Sequence, residues 1–492
     1  MLEKILWGIL IALGVFIVIT LIRAIFYTRK NAQTEPLEPE RVDAQRFAQR
    51  LSEAISIKTI SYRDTDKVDW AEFARFKEFL ERSYPLVHAK LEREDISRAS
   101  LMFRWKGKNP QLEPIALLSH QDVVPITEGT QDDWTHPPFE GYNDGEFIWG
   151  RGALDMKNHL VAVMESVETL LEDGFEPERD VYLCFGHDEE IMSAGDCGAY
   201  TMMDTLRKRG ITLDSVLDEG GAILPVNIKG VINANLAGVG VAEKGHADFE
   251  VSVSAKGGHS SQPPKHSALG KLAKVIIRLE NHQFKAALSP MMRSLFGMIG
   301  RSVTYPVRIV TCNLWLLRPL VLAICKKIPP AACMVRTTTA VTMAQGSPVP
   351  NVLPQRATFT ANFRIMPGSS IAEVEQHIKD VAGKGVQVEL VKGEEPSHIS
   401  PTDSRAFKAI DKICRGMNPN NIVAPYLVMG GTDARNYEPI CKNVYRYSPF
   451  LVSTQLLLAT HGTNERIPVD TLEDGVAFFK RYIKALAGEE KD

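Results

Sequence analysis

The sequence predicts an α/β protein into which a second, smaller α+β domain is inserted. From residue 43 to 242, apolar runs typical of strands alternate with segments of helical spacing, such as "PIALLSH" and then "HLVAVMESVETLLEDG". From 243 to 394 the order becomes β-α-β-β-α-β, which is typical of the ferredoxin-like unit. The first pattern resumes at 395 and runs to 492. We therefore expect a sheet covered by helices on both faces, interrupted by the second domain.

The amino-terminal segment differs from the rest of the chain. Residues 5–22, "ILWGILIALGVFIVITLI", contain no charge and are followed by Arg23, Arg29 and Lys30. This stretch is long enough to span a bilayer. A cleaved signal peptide is the alternative, but the stretch is longer than a usual signal core and no convincing small-x-small cleavage site comes after it. We predict an uncleaved transmembrane anchor over 1–30 and a polar, proline-bearing tether over 31–42.

Two features of the sequence give opposite indications of the side of the membrane on which the domain after the anchor lies. Basic residues after the apolar segment favour a cytoplasmic location for the domain on their carboxyl side. A single amino-terminal anchor, in contrast, often exports the domain behind it. The sequence leaves the side of the membrane open.

The net charge and the cysteine spacing exclude several classes of binding partner and site. The formal net charge is -3 and no stripe of aromatic and basic residues is present, so we do not expect nucleic acid to bind. The seven cysteines are scattered without a CxxC pair, which argues against a disulfide framework and against a thiolate zinc site. A small-molecule substrate is the expected partner.

The first candidate functional residues follow a predicted buried strand. In "ALLSHQDVVP", residues 116–125, His120 and Asp122 are two positions apart at the end of the apolar run, so their side chains point to one face. Open α/β sheets place their chemistry at the carboxyl ends of strands. A His beside a carboxylate suits a metal ligand and the group that orients it. A polar pair at the surface has the same spacing, so other residues must distinguish the two.

Further acidic and His residues occur where other strands are predicted to end. They are Asp155 in "GRGALDMK", Glu189 and Glu190 in "FGHDEE", Asp218 and Glu219 in "VLDEGG", and His461 in "ATHGTNERI". Each motif alone is typical of a solvated turn, but strand ends of one sheet converge on one edge. Two His and three carboxylates without a thiolate suit a pair of zinc ions about 3.5–4 Å apart that share one carboxylate. One acid is then left over as a base.

With these motifs the chain resembles the M20 family of dinuclear zinc peptidases and amidohydrolases, and within it the branch of carboxypeptidase S and the N-fatty-acyl-amino-acid hydrolase PM20D1. The resemblance covers nearly everything after residue 43 and rests on "SHQDVVP", "WTHPPF", "GRGALDMK", "HDEE", "LDEGG", "GGHSSQPP" and "HGTNERI". It implies a catalytic domain with a mixed sheet, formed by 43–242 and 395–492, and an inserted lid or dimerisation domain over 243–394.

The resemblance implies a role for each candidate metal ligand. His120 corresponds to a ligand of one zinc, and Asp122 to the carboxylate that orients it. Asp155 corresponds to the bridging carboxylate, and the peptide after it is cis in this family. Glu190 and His461 correspond to ligands of one zinc.

The remaining implied roles concern the second zinc and the reaction. Asp218 joins His120 on that zinc, with Glu219 as the alternative because either residue of "DEGG" could turn inward. Glu189 corresponds to the general base that takes a proton from the attacking water and passes it to the leaving amine. His259 of "GGHSSQ" corresponds to the histidine that stabilises the oxyanion, often from a partner subunit. A homodimer through the inserted domain is therefore an expected assembly.

The substrate class depends on residues that could bind a carboxylate. Arg364 in "ANFRIMPG" offers a bidentate fork. By resemblance, Arg364 and Asn351 of "VPNVLP" hold the free carboxylate of the substrate, together with Gly430, Gly431 and Thr432 of "MGGTDARNY". We therefore expect an acyl amino acid or a peptide with a free carboxyl terminus.

The sequence is also compatible with other activities and with several roles for one apolar segment. An aminopeptidase or deacetylase would act on a substrate without a terminal carboxylate, and a catalytically silent binding protein would keep only the scaffold. Residues 285–335 interrupt the second domain with "LWLLRPLVLAICKKIPPAAC", an apolar run divided by Arg318 and Pro319. This run is a candidate for core, for a subunit contact, for a lipid-facing surface or for binding an acyl chain.

Overall fold

A computed structural model describes residues 2–28, 37–191 and 197–489 of the chain. It confirms the predicted α/β fold, because a mixed sheet lies between helices and a second sheet with helices of its own is inserted into it. Arg29, Lys30 and residues 31–36 of the predicted tether lie outside the described residues.

About half of the helices in the described residues begin at a side-chain cap. They are α1 (Leu2–Phe26), α2 (Ala44–Ser56), α3 (Trp70–Ser83), α4 (Pro85–Lys90), α5 (Lys157–Glu172), α6 (Gly198–Lys208), α7 (Ala268–Asn281), α8 (Pro290–Gly300), α9 (Tyr305–Cys312), α10 (Leu314–Cys325), α11 (Pro329–Val335), α12 (Ile371–Ala382), α13 (Arg405–Met417), α14 (Thr454–Leu457) and α15 (Leu472–Ala487). Asp43, Ser267 and Ser404 accept backbone N–H groups at the starts of α2, α7 and α13. Ser370 and Glu373 form a capping box at α12.

The strands divide between the main sheet, the inserted sheet and two short ribbons. They are β1 (Glu92–Ile96), β2 (Ser100–Trp105), β3 (Ile115–His120), β4 (Phe147–Trp149), β5 (Val181–Gly186), β6 (Ser215–Asp218), β7 (Ile223–Ile228), β8 (Ile232–Glu243), β9 (Gly245–Ser254), β10 (Gly258–His259), β11 (Thr338–Gln345), β12 (Val352–Leu353), β13 (Arg356–Ile365), β14 (Val386–Glu394), β15 (Asn421–Val428), β16 (Val444–Arg446) and β17 (Arg466–Pro468).

The main sheet brings three strand ends together. Its order is β1-β2-β5-β3-β6-β16-β8-β15, with β7 paired to β8. β3 runs parallel to both β5 and β6, so their carboxyl ends lie side by side at one edge. His120 ends β3, Asp218 ends β6 and Glu189 follows β5. The predicted convergence of these segments is therefore a consequence of strand direction.

Helices cover both faces of the main sheet. Leu117 of β3 and Leu183 of β5 point into the larger core, where α5 is buried along nearly its whole length. Leu118 and Cys184, the next residues along these strands, point into a second core on the side of α6. Because both faces are covered, every residue of the central strands β3 and β5 is buried.

The inserted sheet has the order β11-β13-β9-β14 and is antiparallel throughout. α7 and α12 pack on one face, against a core that includes Phe249, Val251 and Phe363. The opposite face is free of these helices and carries the polar residues that alternate with the core residues, such as Asp248 and Arg364.

The residues that interrupt the insert form a separate group of helices, which we call the apolar block (α8–α11, residues 290–335). Met291, Met292, Val321 and Val335 of the block pack into the larger core of the main domain. α8 lies against β15 at the end of the main sheet. The inner side of the block is therefore core, as one of the four sequence interpretations expected.

α1 is apolar and largely exposed. Its most apolar 18-residue window has a mean hydropathy of 2.9, and the helix is long enough to cross a membrane. Within the described residues, α9 and α10 taken together are also long and apolar enough, but they are bent by 107° at their junction. α1 touches the block near its own end, where the Tyr27 hydroxyl donates to the carbonyl of Gly297 over 3.1 Å.

Candidate metal centre

His120 is held at the end of β3 with one ring nitrogen facing the cleft. Its Nδ1 lies 2.9 Å from the backbone carbonyl of Asp122 and 3.4 Å from the Asp122 carboxylate. Because a carbonyl can only accept a hydrogen bond, Nδ1 donates to it, and Nε2 is the ring nitrogen that remains for the cleft. Nε2 is the atom that meets the neighbouring carboxylates, so the ring is oriented as a ligand.

The Asp122 carboxylate positions two segments of the site at once. It is fully buried and accepts a hydrogen bond from the Ser61 hydroxyl over 2.6 Å. It also accepts the backbone N–H groups of Glu189 and Glu190, each over 3.2 Å. The predicted orienting carboxylate of His120 thus also fixes the turn that carries both glutamates.

Asp155 lies between the two histidines. Its Oδ1 is 3.2 Å from Nε2 of His120, and its Oδ2 is 3.0 Å from Nε2 of His461. The Asp155–Met156 peptide is cis. A carboxylate whose two oxygens face two different imidazoles has the geometry of a bridge between two ions.

Glu190 and His461 form the second half of the site. Glu190 Oε2 lies 3.0 Å from Nε2 of His461, and the buried Oε1 has no hydrogen-bond partner among the described residues. Hydrogen bonds with Asp155 and Glu190 raise the pKa of His461 to about 10. His461 has a φ of 61° and half of its side chain is exposed, so this half of the site opens to solvent.

Glu219, the alternative to Asp218 in "DEGG", is the carboxylate that lies next to His120. Glu219 Oε1 lies 3.2 Å from Nε2 of His120. Asp218 instead accepts the backbone N–H groups of Glu219, over 2.8 Å, and of Ala434, over 2.7 Å. Because backbone donors hold both of its oxygens, Asp218 fixes the loop and leaves Glu219 to turn inward.

Glu189 is close to the cluster without lying between the histidines. Its Oε2 is 3.9 Å from Nε2 of His120, and burial raises the pKa of the carboxyl well above its usual value. Glu189 also lines a cavity of about 80 Å³ together with Asp433, Arg435, Lys392 and other residues. A carboxyl in this position can exchange a proton with a molecule bound in the cleft.

The donor atoms fit divalent cations. Ligand atoms of His120, Asp155 and Glu190 lie within 4.8 Å of one another, and so do those of His120, Glu189 and Glu219. Burial, followed by the negative charge of Asp155, raises the pKa of Glu219 to about 8. Among the described residues, several mostly buried carboxylates thus face two imidazoles, an excess of negative charge that bound cations would neutralise. Oxygen and imidazole donors suit zinc, cobalt or manganese.

Sequence reasoning missed the residue that joins the two ligand loops. Glu465 is fully buried, and its Oε1 accepts the backbone N–H groups of Gly152, Leu154 and Asp155 over 2.9–3.2 Å. Its Oε2 pairs with Arg151. Glu465 lies four residues after His461 in "HGTNERI", so its place in that motif was the only available signal.

Arg364 is placed on the helix-free face of the inserted sheet. In the strand register it lies opposite His246 of β9, and His246 lies opposite Glu394 of β14. The three side chains therefore form a row on one face. Glu394 lines the same cavity as Glu189 and lies 2.8 Å from Arg435. Arg364 is exposed and stands two strands from that cavity. Arg435 and Lys392 are further cations of this cavity that sequence reasoning missed, although Arg435 stands in the motif "GGTDAR".

The other predicted substrate contacts are not gathered at the metal centre of one chain. His259 is exposed on the β10–β12 ribbon, and Ser260 beside it donates to the Asn351 carbonyl. Gly430 is exposed and Gly431 is half-buried. The Thr432 hydroxyl donates to Glu243 over 2.8 Å, so its proton is used within the protein.

The placement of the "DEGG" carboxylates leads to a paired prediction. Glu219→Gln should lower metal occupancy, because it removes a charged oxygen next to His120. Asp218→Asn should instead lower thermal stability, because one of the two backbone N–H groups loses its acceptor. Metal content and melting temperature of both variants are the measurements. Full metal content in Glu219→Gln together with a loss in Asp218→Asn would return the ligand role to Asp218.

Comparison with known proteins places the chain in a family. The profile of the peptidase family M20/M25/M40 matches residues 116–485. A probable carboxypeptidase S-like 2 of Dictyostelium discoideum is 36% identical over 97% of this chain and 92% of its own length. The mouse N-fatty-acyl-amino acid synthase/hydrolase PM20D1 is 33% identical over 94% of each chain.

A solved structure supports the fold. An M20 family metallo-carboxypeptidase of Sulfolobus solfataricus superposes with a TM-score of 0.63, covering 89% of this chain and 98% of that chain. Its sequence is 20% identical to this one. At this identity the similarity is evidence for a shared fold.

Proposed function

The chain belongs to peptidase family M20/M25/M40, and on that premise we propose that it hydrolyses the amide bond of an N-acyl amino acid, or of a peptide with a free carboxyl terminus, at a pair of divalent metal ions. Family membership makes it a metal-dependent amide hydrolase. The observation that carries the two-ion proposal is Asp155, whose two oxygens face the Nε2 atoms of His120 and His461.

The ligand sets follow from the contacts of the bridging carboxylate. We assign His120, Asp155 and Glu219 to one ion, and Asp155, Glu190 and His461 to the other. Zinc is the proposed metal because imidazole and carboxylate donors suit it. When bound by these residues, the two ions would lower the pKa of a water molecule and polarise the carbonyl of the substrate.

Glu189 is the proposed general base. It lies next to His120 and lines the cavity, so a water in the cleft is within its reach. Its carboxylate takes the proton of the attacking water and delivers it to the leaving nitrogen. Asp122 holds the backbone N–H of Glu189, which keeps this carboxylate aimed at the cleft.

Arg364 is proposed to bind the carboxylate of the substrate. It stands on the helix-free face of the inserted sheet, in the row that leads through His246 to the cavity. A guanidinium there offers two parallel donors to a carboxylate. The inserted domain would then act as a lid that brings Arg364 over the metal centre.

The corresponding prediction compares an N-acyl amino acid with its amide. Arg364→Met should lower kcat/KM for the free acid by roughly 30-fold to several thousand-fold, since a charge-assisted contact of about 2–5 kcal/mol is lost. Hydrolysis of the amide should change little, because the amide never made the ion pair. Steady-state kinetics on both substrates are the measurement.

Arg356 provides a matched control on the same strand and face. It is exposed and pairs with Glu250 over 2.8 Å, away from the row that contains Arg364. Arg356→Met should leave both substrates unaffected. Equal losses on acid and amide in Arg364→Met, or an unchanged preference for the acid, would favour an aminopeptidase or deacetylase instead.

We also propose a membrane location and a dimeric assembly for the chain. The exposed α1, with a mean hydropathy of 2.9 over its most apolar window, supports a membrane anchor. His259 and Asn351 are exposed together on the β10–β12 ribbon. This exposure supports a homodimer in which the ribbon of one subunit reaches the site of the other.

A further inference from the structure

The apolar block has large apolar side chains on its outer side as well as in its core. Along α10 and the residues after it, the exposed fractions are 59% for Trp315, 40% for Leu316 and 49% for each of Leu320, Ile324 and Ile328. Leu316, Leu320 and Ile324 recur every four positions, so they extend along one side of α10. A contiguous apolar face of this kind marks an interaction surface.

The charges around this face have one sign. From Ala286 to Val335 the sequence contains six basic residues and no acidic residue. The basic residues are Arg293, Arg301, Arg308, Arg318, Lys326 and Lys327. Three of them, Arg318, Lys326 and Lys327, are exposed on or directly after α10. An apolar face with basic residues beside it complements an anionic lipid surface.

The block is also joined to α1 within the apolar part of that helix. The Asn313 side chain, at the bend between α9 and α10, donates to the Thr20 carbonyl over 3.2 Å. The Tyr305 hydroxyl donates to the Leu21 carbonyl over 3.2 Å. Trp315 packs edge-to-face against Phe16 with ring centroids 5.5 Å apart.

These contacts fix the depth of the block if α1 spans a bilayer. The uncharged stretch of α1 ends at Ile22, immediately before Arg23. Phe16 precedes Arg23 by seven residues, which is about 10 Å along a helix. The hydrocarbon core is about 30 Å thick, so the level of Phe16 lies inside it. Trp315, which touches Phe16, must then lie below the lipid headgroups as well.

We propose that the apolar block is a second membrane contact, which inserts the start of α10 into the leaflet that α1 leaves. This inference rests on α1 as the membrane anchor. The bend of 107° lets α9 enter and α10 return on the same side, so the block dips into the bilayer without crossing it. Because α8 packs on β15, the insertion sets the orientation of the main sheet relative to the membrane.

Tryptophan quenching in brominated phospholipid vesicles tests the proposal on the full chain. The six tryptophans are Trp7 in α1, Trp315 in the block, and Trp70, Trp105, Trp134 and Trp149 in the catalytic domain. With Trp7→Phe, quenching by lipids brominated near the headgroup end of the acyl chain should persist. With Trp7→Phe and Trp315→Phe together it should disappear. Trp7→Phe with Trp149→Phe is the matched control and should behave like Trp7→Phe alone.

The variants distinguish failure of the second membrane contact from failure of α1 as the anchor. If Trp315→Phe alone remains quenched through Trp7, while Trp7→Phe is not quenched, the anchor stands and the second contact is overturned. If neither single variant is quenched, the anchor itself fails and the second contact fails with it. Phe keeps the edge-to-face contact with Phe16, so the substitution at Trp315 conserves the packing of the block.

Discussion

Glu189→Gln is expected to retain both metal ions and to lower kcat by roughly 10²-fold or more, because the amide cannot accept the proton of the attacking water. The side chain keeps its size, and the backbone N–H of Glu189 still donates to Asp122. The metal ligands are unchanged, so the loss should appear in kcat at unchanged metal content. Turnover and metal per chain, measured on the same preparation, give the result.

The neighbouring glutamate is a matched control for this variant. Glu190→Gln makes the same chemical change one residue later, but it removes an oxygen 3.0 Å from His461 Nε2. It should therefore lower metal occupancy, which Glu189→Gln should not. A Glu189→Gln enzyme with near-normal kcat would remove Glu189 from the reaction, and reduced metal content in it would make Glu189 a ligand.

Asp155→Ala is expected to weaken binding of both metal ions. Its two oxygens face the two histidines, so one substitution removes a ligand from each half of the site. In the proposed two-ion site this carboxylate would also neutralise part of the charge of both ions and hold them at their spacing. Zinc bound per chain after dialysis should fall well below the wild-type value, and turnover should fall with it.

The variant His461→Ala serves as a comparison, because it removes a proposed ligand of one ion and leaves the proposed bridge in place. Among the described residues, His461 contacts Asp155 and Glu190 but not Glu219, so its loss should affect one ion. Comparing the two variants by zinc stoichiometry therefore distinguishes loss of one ion from loss of two. Two tightly bound ions in Asp155→Ala would assign the bridge to another residue.

The parts of the site that depend on strand direction were predictable from the sequence. His120 ends β3 and Glu189 comes three residues after β5, and parallel strands must bring such positions to one edge. The choice between Asp218 and Glu219 was not predictable in this way. It depends on the backbone N–H of Ala434, which is more than two hundred residues away and donates a hydrogen bond to Asp218.

Contacts between distant segments explain the other omissions. Glu465 reaches the turn before Asp155 across about three hundred residues, and no local pattern indicates that partner. The row from Arg364 to the cavity depends on the register of β13, β9 and β14, which the sequence does not specify. The apolar pattern of residues 285–335 could not show that one side enters the core while the other stays exposed.

This chain is proposed to hydrolyse amide bonds with two metal ions held by the Asp155 bridge, so its activity should depend on both ions. The most direct measurement follows hydrolysis of an N-acyl amino acid while a chelator removes the metal and zinc is then returned stepwise. We expect activity to disappear with the metal and to recover fully only when two zinc ions are bound per chain. Full activity in the chelated, metal-free protein, or complete recovery with one ion per chain, would contradict the claim.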